Sequence, residues 1–199
     1  GLVEIIAKGD ITFDGTTSDG DRGGAISRVN SDGDSRVNSD GEGNAGGVTI
    51  SANNLTLTNG ARVDASTSGK GNAGLVEIIA KGDITFDGAT SEGDRSGVTS
   101  RVDSNGEGNA EGITISTNNL TLNNGARVDA STSGKGNAGL IEIIAKGDVT
   151  FDGTTSKGDR SGVTSRVNRD GKGNVGDITI STTNLNLING GRVDTGSTR

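Results

Sequence analysis

The stretch GGVTISANNLTLTNGARVDASTSGKGNA, residues 46–73, decides the fold. Within it Val48, Ile50 and Ala52 alternate with Thr49 and Ser51; Leu55 and Leu57 flank Thr56; Val63 and Ala65 flank Asp64. A period of two sends alternate side chains to opposite faces, which is the pattern of a half-buried strand. Asn53-Asn54, Asn59-Gly60 and the segment 68–71 supply the turn residues between these runs. The unit is therefore three short strands joined by turns, with no helical period in it.

The unit recurs along the whole chain. Gly-Asn-Ala closes it at Gly43–Ala45, Gly71–Ala73, Gly108–Ala110 and Gly136–Ala138, with Gly173–Val175 as a variant, at spacings of 28, 37, 28 and 37 residues. Pairs of units form long repeats, 1–73, 74–138 and 139–199, which open GLVEIIAKGDITFDG, GLVEIIAKGDITFDG and GLIEIIAKGDVTFDG. A three-strand unit repeated every 28 or 37 residues predicts an all-β chain: a parallel β-helix, or β-solenoid, of about six coils forming a single segment over residues 1–199. One coil alone buries too little to offset the entropy of ordering it, so neighbours must stack on it. At a strand spacing of about 4.8 Å, the stack is a rod roughly 29 Å long.

Finer expectations follow from the same alignment. Phe13, Phe86 and Phe151 should alternate with Leu57, Leu122 and Leu187 in one interior column. Asn44, Asn72, Asn109, Asn137 and Asn174 should form an amide ladder at one corner. The motif Arg-Val-Asp/Asn, at Arg28, Arg62, Arg101, Arg127, Arg166 and Arg192, should carry the third strand of every coil. On this alignment valine (Val29 in the first coil) faces in, and the flanking arginine and acid face out. A further copy at Arg36 comes from a duplication of residues 27–34 as 35–42, expected to loop out.

Composition excludes several functions. Cys and His are both absent, which removes thiolate chemistry, disulfides, the usual general base and the commonest metal ligand. With three Phe and no Trp or Tyr, there are few rings on which sugars or bases could stack. A net charge of −7 opposes binding to nucleic acid or an anionic membrane. No apolar run approaches the ~18 residues of a membrane span, so no membrane insertion is expected. No targeting segment is visible, and Gly1 already lies inside a repeat. The segment is thus expected to be a fragment of a longer repeat protein.

Catalytic residues are not expected, because acids sit in repeated columns and no pair is set apart. Four surface features remain as candidates. Insertions in alternate coils, at 16–27, 89–100 and 154–165, each carry Gly-Asp-Arg: Asp21-Arg22, Asp94-Arg95 and Asp159-Arg160. Loops that recur at one place in a solenoid line up on one face and suit multivalent contact with a cell-surface glycan or protein; the plainer reading is a solvated loop. Stacked arginines of the Arg-Val-Asp column could grip sulfated or carboxylated sugars, although neighbouring acids would neutralise them. Outward threonines Thr49, Thr56, Thr114 and Thr121 raise an ice-binding face, but Glu4, Glu77 and Glu142 interrupt it. Finally, Leu2, Ile6, Leu75, Ile79, Leu140 and Ile144 fall on the outward parity of the first strand; Ile6, Ile79 and Ile144 mark a possible self-association stripe. The acidic stretches Ser31-Asp32-Gly33-Asp34 and Asp40-Gly41-Glu42 have the composition of calcium loops. They match neither an EF-hand loop nor the Gly-Gly-x-Gly-x-Asp nonapeptide, so no cofactor is expected and Ca2+ is the one ion to test.

The phrases ITFDGTTSDGDR, LTLTNGARVDASTSGKGNAG and GNAGGVTIS resemble the repeats of filamentous-haemagglutinin-like exoproteins, particularly the large cyanobacterial ones. The likeness covers essentially the whole chain. It implies a right-handed parallel β-helix, secretion by a two-partner system to the exterior of the outer membrane, and a role in adhesion or aggregation. The matching motifs build coils, so no binding residue carries over. A structural or adhesive stalk segment without catalysis is the expectation. The alternative is a self-assembling extracellular filament subunit joined through open coil ends.

Overall fold

The computed structural model of the chain describes residues 1–15, 23–28, 41–90, 93–169 and 171–197. Each coil contributes three strands. The first has β1 (Val3–Ile6), β2 (Ile11–Asp14) and β3 (Gly24–Ile26); the second β4 (Val48–Ala52), β5 (Leu55–Thr58) and β6 (Arg62–Asp64). The third has β7 (Val76–Ala80), β8 (Ile84–Asp87) and β9 (Gly97–Thr99); the fourth β10 (Gly112–Thr117), β11 (Leu120–Asn123) and β12 (Arg127–Asp129). The fifth has β13 (Leu140–Ala145), β14 (Asp148–Asp152) and β15 (Gly162–Val167); the sixth β16 (Ile178–Ser181), β17 (Asn184–Ile188) and β18 (Arg192–Ser197).

Corresponding strands of successive coils pair in parallel, giving three sheets of six strands, in the orders β1-β4-β7-β10-β13-β16, β2-β5-β8-β11-β14-β17 and β3-β6-β9-β12-β15-β18. The chain is a six-coil parallel β-helix. Its core is the inward half of each alternating strand. In β4 the side chains of Val48, Ile50 and Ala52 are buried, while Thr49 and Ser51 between them are partly exposed. Phe13, Leu57, Phe86, Leu122, Phe151 and Leu187 pair in that order along the second sheet, as the alternation implied. Alternating Phe with Leu lets ring and branched chain interleave along the axis instead of stacking ring on ring.

The corners are held by side-chain ladders. Asn44 Oδ1 accepts from the backbone N–H of Asn72 at 2.8 Å, and Asn72, Asn109 and Asn137 repeat the bond to the next asparagine at 2.9 Å each. The expected amide ladder is present, but its rungs run from side chain to backbone. A second ladder alternates acid with amide. Asn54 donates to Asp10 at 2.9 Å, Asn119 to Asp83 at 2.9 Å and Asn184 to Asp148 at 2.8 Å. A third does the same through Asn59–Asp14, Asn124–Asp87 and Asn189–Asp152, at 2.7 to 2.8 Å. This alternation explains the two-coil period. A carboxylate only accepts and an amide also donates, so the mixed column satisfies both and never stacks charge on charge. Hydrogen bonds from Asn53 and Asn54 hold the Asp10 carboxyl below its ordinary value, and those from Thr58 and Asn59 do so for Asp14.

The third sheet corrects the sequence alignment. Arg62 and Arg127 pair with Gly97, not with Arg101, and Val98 takes the place opposite Val63 and Val128. Val102 bridges instead to Thr67 and Thr132. The Arg-Val-Asp motif of long coils therefore lies four residues past that of short coils. A short hairpin sets this register: Ser96 N–H donates to Gly88 O at 3.0 Å and its hydroxyl donates to Asp87 O at 2.7 Å. The hairpin closes at Ser96, so β9 must begin at Gly97. In the first coil Ala25 pairs with Val63, and Val29 and Arg36 lie outside the described residues. The insertions are correspondingly shorter than expected, since Gly97–Thr99 and Gly162–Val167 are strands.

Candidate functional site

Among the described residues, hairpins of this kind stand on the third and fifth coils. Ala89 bridges antiparallel to Arg95, and Thr154 to Arg160. Their tips are closed by bonds from Thr90 N–H to Asp94 O and from Thr155 N–H to Asp159 O, both 2.8 Å. Buried serines at their bases dock them on the preceding coil: the Ser96 hydroxyl accepts from Gly60 N–H and that of Ser161 from Gly125 N–H, both at 2.9 Å.

Arg95 is not the free surface cation that the triplet suggested. Its Nε donates to Gly125 O, its Nη2 to Arg160 O at 2.5 Å, and its Nη1 lies 3.9 Å from Asp159 Oδ1. It thereby ties one long coil to the short coil above it and to the next hairpin, with 16% of its side chain exposed. Burial, and then the charge of Arg127, lower its pKa to about 10, with Asp159 and Asp129 opposing. Asp94 and Asp159 are half-buried and Arg160 is exposed. Asp21 and Arg22 lie outside the described residues.

The staggered register brings the arginines of long coils over the acids of short ones. Arg28 reaches Asp64 at 3.3 Å, Arg101 reaches Asp129 at 3.6 Å and Arg166 reaches Asp194 at 2.6 Å. Arg127 and Arg192 pair with the same Asp129 and Asp194 from within their own strands. The acids were expected outside; Asp64 is 2% and Asp129 5% exposed. Arg28 covers Asp64, and Arg101 and Arg127 together cover Asp129, which is why a residue on the outward parity is buried. Burial alone would raise the Asp129 carboxyl, but Arg127, Arg101 and the bonds from Ser131 overcome it and hold the group below its ordinary value. Arg192 is lowered by burial and by the neighbouring Arg166 and Arg160.

Between the hairpin of the fifth coil and the third sheet these groups frame a cleft of about 340 Å³. Arg95, Arg101, Arg127, Arg160, Arg166 and Arg192 line it, against Asp129, Asp159 and Asp194, and the rest of the wall is Ser, Thr, Gly and Asn. Six cations against three anions make a positive groove on a chain whose net charge is −7. The sequence named these arginines but not their convergence, which depends on the four-residue stagger.

The other candidates fall on other faces. Ile6, Ile79 and Ile144 are 71%, 43% and 45% exposed, and Leu2, Leu75 and Leu140 accompany them. Each isoleucine pairs with Ser51, Ser116 or Ser181 of a short coil, so the stripe is a set of apolar ridges about 9.6 Å apart. On the same sheet Glu4, Glu77 and Glu142 separate Thr49, Thr114 and Thr179. The second sheet does carry a threonine column through five coils, Thr12, Thr56, Thr85, Thr121 and Thr150, ending at Asn186 in the sixth, beside a column containing Asp14, Asp87 and Asp152. The acidic stretches at 31–34 and 40 lie outside the described residues. Among the described residues no group of three or more His, Cys, Asp or Glu is placed to hold a metal ion.

The fold and this surface define the class: a parallel β-helix repeat protein with a basic groove on one face. A comparison with protein-family models, with curated proteins and with solved structures finds no match for the chain.

Proposed function

We propose that the chain is a structural and adhesive stalk segment of a secreted bacterial surface exoprotein, acting in adhesion or aggregation without catalysis. One observation carries this reading. All three sheets run through all six coils in register, so the same outward groups recur along the rod at every second coil. Such an architecture suits rigid reach and repeated weak contacts, whose avidity grows with their number. The resemblance of its coil-building phrases to filamentous-haemagglutinin-like exoproteins supports the secreted, cell-surface setting and the two-partner route. Small-angle X-ray scattering over a concentration series tests the reading, since a stalk keeps the length of one rod.

A second reading, a self-assembling extracellular filament subunit, is favoured by the exposed isoleucine stripe. Ridges of Ile6, Ile79 and Ile144 with serine grooves between them are self-complementary when one rod is shifted by a coil against another. Replacing the three isoleucines with Thr should abolish concentration-dependent association in sedimentation while leaving the β-rich circular dichroism unchanged. Association that persists in the triple variant rules out the stripe as the contact.

A further inference from the structure

Beside the third sheet the arginines of successive long coils, Arg28, Arg101 and Arg166, succeed one another along the rod, and among the described residues an outer carboxylate stands between only the first two. Lower on the rod, Asp103 sits between Arg28 and Arg101, 3.8 Å from the first and 3.4 Å from the second. Its carboxylate lies outside the inner acids and joins arginines of successive long coils. One long repeat on, the equivalent position is Asn168. The equivalence is geometric as well as sequential: Asp103 N–H donates to Thr67 O and Asn168 N–H to Thr132 O, both at 2.8 Å. Asn168 has no charge and donates its amide to Ser133 Oγ at 3.0 Å. Arg166 therefore lacks the outer carboxylate that Arg101 has in Asp103, and the space beside Arg166 and Asn168, which Arg101 also lines, belongs to the arginine cleft. Among the described residues Arg166 pairs with Asp194 alone, and its Nε is buried without a hydrogen-bond partner, whereas Arg101 Nε lies 3.6 Å from Asp129.

We infer that this cleft binds the carboxylate of an acidic polysaccharide, a uronate-bearing chain, at the place where Asn168 stands for Asp103. Asp103 shows which chemical group the arginine pair accepts, because the chain itself supplies one there. Planar guanidinium groups take a carboxylate through paired N–H donors, which lysines in the same places could not do. The remaining wall, Ser131, Ser161, Thr164 and Asn168, offers hydroxyl and amide groups and no apolar pocket. A polyhydroxylated sugar suits such a wall, whereas a peptide ligand draws its affinity from buried apolar anchors. Arg160 and Arg192, at the open side, are placed for the next acidic group along an extended chain. The site adds a ligand to the stalk and is independent of whether rods join into filaments.

Isothermal titration of the whole chain with oligogalacturonate tests this, with neutral dextran and oligoglutamate as comparison ligands. One oligogalacturonate site is expected, weakening as salt is raised. Asn168→Asp should fill the cleft internally and weaken binding by about tenfold or more, the loss of one charge-assisted contact. Asp103→Asn should open the lower arginine pair and add a second site. Both variants should keep the wild-type circular dichroism, since each places in one repeat the residue that the other repeat already holds. Absence of binding, unchanged binding in Asn168→Asp, or a single site in Asp103→Asn would overturn the assignment. Oligoglutamate binding as tightly as oligogalacturonate would overturn the polysaccharide class.

Discussion

Gly136→Ala is expected to lower the stability of the rod by about 4–5 kcal/mol and to break its unfolding into two steps. Gly136 belongs to the corner column Gly71, Gly108, Gly136 and Gly173, where each backbone rests on the one before. A Cβ there would lie 1.7 Å from Gly108 O, and the residue holds φ at +140°. The obstacle is main chain, so no side chain can swing aside. Relief requires opening the ladder between the third and fourth coils, and a solenoid transmits stability only through such nearest-neighbour contacts. Gly88→Ala is the control. Gly88 also has a positive φ, +79°, but nothing lies within 4 Å of its added Cβ. It should cost only the left-handed strain, roughly 1–2 kcal/mol, with a single transition retained. Urea unfolding followed by circular dichroism separates the two; equal losses would show that corner contact does not govern stacking.

The second large effect is at Asp129. Asp129→Ala removes the carboxylate between Arg101 and Arg127 and should cost about 3–5 kcal/mol, the scale for breaking a buried ion pair from one side. Asp129→Asn keeps an acceptor for Ser131 N–H, which Asp129 Oδ1 now takes at 3.0 Å, and should lose less. The pH dependence has a defined sign. The Asp129 carboxyl is held below its ordinary value in the folded chain. Its contribution is therefore complete above the unfolded value of about 3.9 and is lost as pH falls below it through the folded value. Wild-type stability should decline in that acid range, and Asp129→Asn should flatten the decline. A parallel slope in wild type and variant would mean that Asp129 carries none of it.

Much of the fold was legible because strand alternation leaves little choice. The paired columns of Val48, Ile50, Leu55 and Leu57 fix both the first two sheets and the Phe–Leu interior. The third sheet was not legible from its motif, because a shift by four residues preserves inward parity. Val98 and Val102 both face in, so burial is satisfied whichever one opposes Val63. What decides between them is the hairpin ending at Ser96, a hydrogen-bonded closure that hydrophobic pattern does not encode. The same stagger hid the cleft. Aligned by motif, Arg101 stacks on Arg127; in the fold it lies over Asp129, and Arg166 over Asp194. The exposed stripe, by contrast, follows from parity alone, and Ile6, Ile79 and Ile144 stand outside as read.

The measurement that tests the stalk most directly is the longest dimension of the purified chain in small-angle scattering, followed over a wide concentration range with and without calcium. The account predicts a single particle with the mass of one chain and one maximum dimension, unchanged by dilution or calcium, its six coils stacking over roughly 29 Å along the axis. A length that grows with concentration would contradict it and make the protein a filament subunit first.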